Sequence, residues 1–126
     1  MAVGLNTANL ANAWLNTLRN VSFVVATPFA QLHTADPGSA GTTAVSTGIA
    51  TRQPLTFAAA SGGSIALSAT PSWTATGADT ITHVSVFSAS SAGTHYANAA
   101  LSASKTVATG DTFTLTALTI SLAPLA

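Results

Sequence analysis

The stretch ITHVSVFSASSAGTHYANAAL, residues 81–101, contains two candidate β-strands joined by a turn. Its first part, ITHVSVFSA, is rich in the β-branched and aromatic residues that favour strands, and THYANAAL follows as a second candidate strand. Between them, Ser91-Ala92-Gly93 is typical of a turn. The stretch therefore predicts a β-hairpin in this part of the chain.

Candidate strands and turns continue to alternate on both sides of this hairpin. Turns recur at intervals of about 8 to 12 residues, which is typical of a sandwich or barrel of short strands. They lie at Ser61-Gly62-Gly63, Gly77-Ala78-Asp79 and Gly110-Asp111. The further candidate strands are VSFVVATPFAQLHT (21–34, with a break or bulge near Pro28), RQPLTFAA (52–59), GSIALSA (63–69), SWTATG (72–77), SKTVAT (104–109) and TFTLTALTISLA (112–123).

The beginning of the chain has a helical pattern instead. In LNTANLANAWLNTLRN the apolar residues Leu10, Trp14 and Leu18 recur every four residues and so share one helical face. Asn6 suits the N-cap position. This pattern predicts a helix from about residue 7 to residue 19. We expect its apolar face to pack on the rest of the domain or on a neighbouring molecule.

Together these patterns predict an all-β fold preceded by one N-terminal α-helix. The helix occupies residues 1–20, and residues 21–126 form an antiparallel β-sandwich that is jelly-roll-like or barrel-like. We see neither an internal repeat nor a linker.

The last candidate strand changes its apolar face partway along. Its apolar residues alternate with threonine up to Ala117 and then change phase. A period of two cannot change face without a bulge, a bend or burial on both sides. We therefore predict a bend near Ala117 and Leu118, or a strand held between two subunits. The possible interface residues on this strand are Leu118, Ile120 and Leu122.

Charged residues are unusually scarce, at 5% of the chain against about 25% in ordinary domains. Three interpretations compete: a membrane protein, a disordered chain, and a β-rich protein covered by partners or by copies of itself. No apolar run reaches the length of a membrane span, and the mean hydropathy of +0.48 is too high for disorder. The composition therefore favours the third, with neither nucleic acid nor membrane as a partner. The first residues lack a secretory signal, which favours synthesis in a cytoplasm.

The acidic and aromatic residues do not form a recognisable active site. The three carboxylates, Asp36, Asp79 and Asp111, all lie in predicted turns, and no G-x-S-x-G motif is present. The aromatic residues Trp73, Phe87 and Tyr96 could form a sugar-stacking surface, but large aromatics on strands are more often core. We expect no enzymatic activity, no catalytic residue and no cofactor.

The histidines raise the question of a metal site. His83 and His95 flank the predicted hairpin and could approach each other across the strands, with His33 as a third ligand. The simpler interpretation is that each histidine lies at the edge or end of a strand and bonds backbone or solvent. We therefore expect no metal.

The stretch QLHTADPGSAGT, residues 31–42, contains a turn motif in Asp36-Pro37-Gly38. Proline presets φ at one central position, glycine accepts a positive φ at the next, and aspartate can accept a backbone hydrogen bond. We assign these three residues a structural role in the turn, followed by a long loop with at most a short edge strand.

Several of these stretches, in this order, carry a resemblance that spans nearly the whole chain: MAVGLNTANLANAWLNTL, LHTADPGSAGT, TRQPLTFAAASGG, PSWTAT, ITHVSVFSASSAGTHYANAAL and TGDTFTLTALTISLA. The chain resembles small structural proteins of tailed phages of actinobacteria, which are described as tail-fibre, minor tail or head-decoration proteins. The resemblance implies an all-β fold with an N-terminal helix, synthesis in the bacterial host cytoplasm and a place in the virion. It implies no catalytic residues.

The expected function is that of a non-enzymatic structural protein on the surface of the particle. It would be either a head decoration (a minor capsid protein) or a tail-fibre-like appendage. The alternative is a receptor- or glycan-binding module at the tail tip. The expected partners are further copies of the chain, with a trimer as the expected symmetry, and either the major capsid protein or tail and collar proteins.

Overall fold

The computed structural model describes residues 3–122, which form nine strands and one N-terminal helical segment. The strands are β1 (Gly4–Leu5), β2 (Phe29–His33), β3 (Gln53–Pro54), β4 (Ser64–Ala66), β5 (Ser72–Thr74), β6 (Asp79–Phe87), β7 (His95–Val107), β8 (Thr112–Thr114) and β9 (Thr119–Ser121). Five strands form the main sheet in the order β1-β7-β6-β2-β3, while β4 pairs with β9 and β5 with β8. Every pair is antiparallel.

The predicted hairpin is confirmed as β6 and β7, the two longest strands. Their pairing runs from Phe87 opposite His95 to Asp79 opposite Val107, with irregularities after Ile81 and Val86. Strand β7 continues through both THYANAAL and SKTVAT, so the prediction of two separate strands there was wrong. The continuation follows from the partner, because β6 is long enough to pair with residues up to Val107.

The core joins the main sheet to the two small sheets, as in a β-sandwich. Leu32 and Val84 of the main sheet belong to the same buried cluster as Trp73 of β5 and Phe113 of β8. Trp73 is 2% exposed and donates its indole N–H to the carbonyl of Thr51 at 2.9 Å. The predicted antiparallel sandwich is confirmed, and residues 3–122 form no closed barrel.

The other predicted strands are shorter than the sequence suggests, and 63–69 and 72–77 reduce to β4 and β5. Residues 21–28 are not a strand, and β2 begins only after Pro28, which has no N–H to donate. The candidate strand 52–59 reduces to β3, which ends at Pro54. The candidate strand 112–123 divides into β8 and β9, and the interruption falls where the apolar phase changes.

The predicted helix is helical throughout, but only its middle is α-helix. Thr7–Ala11 is π-helical, Asn12–Asn16 is α-helical and Thr17–Arg19 is a 3₁₀ turn. The side chain of Asn6 accepts the N–H of Asn9 at 2.9 Å, so Asn6 is the N-cap as predicted. The carbonyl of Asn6 also accepts the N–H of Ala11, the i→i+5 pattern of a π-turn.

The chain enters the main sheet before the helix begins. Gly4 pairs with Asn98 and Leu5 with Ala97, so β1 becomes an edge strand beside β7. Part of the segment 1–20 therefore belongs to the sheet of the domain that follows it. Within the part of the chain that the structure describes, no helix has the length and hydrophobicity needed to cross a membrane.

Candidate functional site

A hydrogen-bond network centred on His95 closes one end of the main sheet. The Asn6 amide nitrogen lies 3.0 Å from His95 Nδ1, and His95 Nε2 lies 2.7 Å from Asn98 Oδ1. Asn98 in turn donates to the carbonyl of Gly38 at 2.8 Å. Because Asn6 Oδ1 accepts the Asn9 N–H, its amide nitrogen must face the ring, so Nδ1 accepts and Nε2 donates. The network joins the start of the helix, strand β7 and the loop at Gly38, and its geometry requires the His95 tautomer with the proton on Nε2.

The loop that contains the Asp-Pro-Gly turn is fixed against this network. Asp36 Oδ1 accepts the N–H of Gly38 at 2.9 Å, and Gly38 has a φ of +77°. Pro37 is buried. Gly41 also has a positive φ, and a Cβ there would overlap the His95 ring. These contacts give the loop a shape that a larger residue at position 41 would disturb.

Arg52 lies beside the network and is held from several sides. Its Nε donates to Gln31 Oε1 at 3.0 Å, and its Nη1 donates to the carbonyls of Ala89 and Ala92 at 2.8 and 2.7 Å. The guanidinium carbon lies 3.8 Å from the centre of the Phe87 ring, a cation–π arrangement. Partial burial lowers the pKa of Arg52 from its usual value. The contacts give the cation a fixed position at the hairpin turn.

His33 is fully buried in the main sheet beside Ser85. Its Nδ1 lies 2.8 Å from the carbonyl of Thr43, which can only accept, so Nδ1 carries the proton. Its Nε2 therefore accepts the Ser85 hydroxyl at 2.6 Å. Burial is the largest cause that lowers the pKa of His33, which keeps the ring neutral. Because Ser85 is also fully buried, no substrate can reach this serine–histidine pair.

The carboxylates are bound by backbone N–H groups. Asp79 accepts the Ser46 hydroxyl at 2.8 Å and two backbone N–H groups from the residues that follow Ser46. The Ser46 hydrogen bond is the largest cause that lowers the pKa of Asp79. Asp111 accepts the N–H of Ala108 at 2.8 Å, as Asp36 accepts its own turn N–H. All three acids therefore stabilise loops.

The histidines are spread over the main sheet. His83 is opposite Ala100 and His95 is opposite Phe87, so the idea that the hairpin brings these two histidines together is wrong. His83 is instead paired with His33 across β2 and β6, and its Nδ1 lies 2.8 Å from the hydroxyl of Thr82. Within residues 3–122 no three His, Cys, Asp or Glu side chains are grouped to hold a metal ion.

The aromatic residues considered for sugar stacking are core residues. Trp73, Phe87 and Tyr96 are 2%, 4% and 8% exposed. They therefore offer no open aromatic surface to a ligand.

The predicted helix residues differ widely in exposure. Leu10 is buried, Trp14 is half-buried and Leu18 is 87% exposed. Leu18 therefore does not pack on the sandwich within one copy of the chain, and packing on a neighbour stays a prediction. Leu10 and Trp14 line an apolar groove of about 470 Å³, whose other walls include Val25, Pro28, Leu55 and Ile120.

Further apolar side chains in the segment that follows Trp14 are open to solvent. Leu15 is 64% exposed and Val24 is 83% exposed. We use the name helix face for Leu15 and Leu18 of the helical segment together with Val21 and Val24, which follow it. Of the three basic residues in the sequence, only Arg19 lies within residues 15–24.

The residues assigned to a possible interface strand lie in three different environments. Leu118 belongs to the core at 9% exposure, Ile120 is half-buried opposite Ile65, and Leu122 is 59% exposed. Leu118 therefore packs within its own subunit. An interface role for Ile120 and Leu122 stays a prediction.

The sequence does not single out Arg52 or Asn98, and it identifies Asn6 only as a helix cap. The partners of Arg52 lie between 21 and 40 residues away, and those of Asn98 include a residue 60 positions away. No local pattern indicates such contacts. The one feature of the sequence that could have identified Arg52 is the scarcity of charge, because Arg52 is one of only three basic residues.

The fold and the site together define a β-rich protein whose three carboxylates and Arg52 hold its loops in place. Residues 6–123 match the family described as podophage GP4 fiber I protein gp80, and the chain belongs to this family. It is therefore a structural component of a phage virion, of the tail-fibre kind. No curated protein matches the chain.

Proposed function

We propose that the chain is a non-enzymatic subunit of a tail fibre and that it assembles with further copies of itself, as a trimer, through the helix face. The observation that carries the proposal is the exposure of Leu15 and Leu18 on a protein of the fibre family. Isolated exposed leucines are ordinary, but two of them three positions apart on one helical segment form a larger apolar patch, and such patches are typical of interfaces.

The surface area of the chain supports a partner. The chain exposes 7028 Å², whereas a compact monomer of 12.4 kDa exposes roughly 6,000 Å². A stable interface of typical size would cover about 800 Å² of this surface. With so few charged groups, little on this surface opposes contact with another copy.

The position of the polar groups supports a role without catalysis. The Ser85 and His33 pair is closed to solvent, and the carboxylates of Asp36, Asp79 and Asp111 are engaged by backbone N–H groups. Membership of the fibre family supports attachment to tail or collar proteins rather than to the major capsid protein.

Native mass measurement at micromolar concentration tests the assembly. We expect an oligomer for the wild type and a folded monomer for Leu18→Lys, because a lysine in an apolar interface would lose its hydration. Ser90→Lys adds the same charge at the exposed hairpin turn and should leave the oligomer intact. A monomeric wild type, or a Leu18→Lys variant that remains oligomeric, would contradict the helix face as the interface.

Immunogold electron microscopy of phage particles tests the location. An antibody raised against this chain should label the tail. Labelling spread over the head shell would instead support the head-decoration alternative and would contradict the tail assignment.

A further inference from the structure

A surface cleft of about 540 Å³ lies at the end of the sheet where the His95 network is located. Its walls come from the start of the helix, the loop after Gly38 and the hairpin turn, and Arg52 lines it together with Phe87. We call it the Arg52 cleft. Its volume is within the range of about 300–1,000 Å³ that is typical of small-molecule sites.

The guanidinium of Arg52 has one nitrogen left for a ligand. Its Nε and both hydrogens of Nη1 are used by Gln31, Ala89 and Ala92. Nη2 has no partner among residues 3–122. Since every buried side-chain nitrogen and oxygen in that range has a partner, Nη2 must reach solvent. The fixed guanidinium, which lines the cleft, therefore has two N–H groups open to solvent.

Within residues 3–122, no carboxylate forms an ion pair with Arg52. In that range its hydrogen-bond acceptors are the neutral Gln31 amide and two backbone carbonyls. The carboxylates of Asp36, Asp79 and Asp111 each accept backbone N–H groups of loops. A half-buried cation without a carboxylate partner is incompletely compensated for its lost hydration. An anion in the cleft would supply that compensation through charge-assisted hydrogen bonds.

The rest of the lining indicates what kind of anion would fit. Hydroxyl and amide groups come from Ser39, Thr42, Thr94 and Asn9, and small methyl groups come from residues such as Ala40. The neutral groups can pair with sugar hydroxyls, and the methyl groups can contact the carbon face of a sugar ring. A single cation cannot match the repeated charge of a nucleic acid.

We propose that the Arg52 cleft binds a carboxylate-bearing sugar, with the carboxylate on Nη2 of Arg52 and the sugar hydroxyls on the neutral wall. The site is rigid before binding, because Arg52 is held by three hydrogen bonds and the Phe87 ring, and Gly41 is packed against His95. Recognition of such a sugar would be a function additional to assembly.

The test is isothermal titration of the full chain with glucuronic acid and with N-acetylneuraminic acid, beside glucose and acetate. We expect at least one acidic sugar to bind. Glucose lacks the carboxylate that would pair with Arg52, and acetate lacks the hydroxyls that would pair with the neutral wall, so each should bind about tenfold more weakly or not at all. Acetate that binds as well as the acidic sugar would overturn the sugar assignment. No binding of either acidic sugar would overturn the proposal.

Two variants locate the site. Arg52→Gln removes the charge, and Ala40→Trp fills the cleft from an exposed position without replacing any partner of Arg52. Each should weaken binding by about tenfold or more, while Ala59→Trp, exposed outside the cleft, should not. If Arg52→Gln fails to fold in a thermal melt, Ala40→Trp decides alone, and unchanged binding there would overturn the proposal. Binding by the Leu18→Lys monomer separates this result from the assembly proposal.

Discussion

The sheet end around His95 and the helix face differ in how many of their side chains find partners within one copy of the chain. At the sheet end, Asn6, His95 and Asn98 form a continuous network with the loop at Gly38. On the helix face, Leu18 is 87% exposed. Both regions are built from a sequence with 5% charged residues, so composition alone does not produce the difference.

The difference shows where a weakly charged chain obtains a defined structure. Buried hydrogen-bonding groups require partners in a fixed geometry, and within residues 3–122 every buried side-chain nitrogen and oxygen has one. Apolar side chains have no such directional requirement and can be covered by any complementary surface. The polar network thus fixes the structure of one subunit, and the helix face remains available for contact with a neighbouring molecule.

The largest expected effect compares the two tryptophans, Trp73 in the core and Trp14 on the apolar groove. Trp73→Ala should reduce the free energy of unfolding by about 3–5 kcal/mol, because Trp73 is 2% exposed and contacts Phe113 with ring centres 5.8 Å apart. Trp14→Ala should cost about 1–2 kcal/mol in the isolated chain, because Trp14 is only half-buried. Urea unfolding of both variants under conditions that keep the chain monomeric measures the pair.

The outcome of that pair measures how enclosed Trp14 is within one copy of the chain. Equal losses in the monomer would mean that Trp14 is as enclosed as Trp73. The groove that Trp14 lines would then be closed within one copy and would not be available to a neighbour.

A second comparison uses two glycines with similar backbone and different surroundings. Gly41 and Gly62 have φ values of +69° and +62°, but only at Gly41 would a Cβ meet other atoms, those of His95 and Phe87. Gly62→Ala should cost about 1–2 kcal/mol from backbone strain alone. Gly41→Ala should cost about 2–4 kcal/mol because overpacking is added. Denaturant unfolding measures both, and equal costs would show that the loop yields easily to the added methyl.

The third prediction concerns pH and the buried His33. Its folded pKa is lowered from 6.5, so the unfolded chain takes up the proton first as the pH falls. The stability is complete above about pH 6.5 and is lost below it, by at most ~1.4 kcal/mol per pH unit, until the folded pKa is reached. The free energy of unfolding measured between about pH 7.5 and pH 5.5 tests this.

Matched histidine variants assign that slope. His33→Gln should flatten the pH dependence, and His83→Gln, which removes the half-buried imidazole opposite His33, should retain it. A slope that survives in His33→Gln would have to come from another group.

Much of the fold could be predicted from local sequence, because local patterns determine helices and hairpins. The β6–β7 hairpin follows from two strand-like stretches and a glycine turn, and the helix follows from its apolar spacing and Asn6. The same spacing could not show that Leu10 is buried and Leu18 exposed. The helix is bonded to the sheet at its start, through the Asn9 side chain and the carbonyl of His95, so contact decreases along its length.

The candidate site was less predictable, because its contacts are long-range. Arg52 meets Gln31 and the hairpin turn only after the main sheet has formed. The strand 112–123 was expected to bend at its change of phase, but its division between two separate small sheets depends on where β4 and β5 lie. Such pairings are properties of the assembled fold.

The smallest expected effect lies at the edge of the polar network, in the Asp-Pro-Gly turn. Asp36→Asn should change the free energy of unfolding by less than about 0.5 kcal/mol, because an asparagine Oδ1 can still accept the N–H of Gly38. Gly38→Val is the contrasting variant: its φ of +77° is unfavourable for a β-branched residue, and its Cβ would lie 3.0 Å from Thr43 Oγ1. Unfolding in urea and infectivity of the variant phage measure both consequences. If Asp36→Asn left particles intact but abolished infectivity, the carboxylate charge itself would be required. The turn would then have a function that the geometry of its hydrogen bond does not provide.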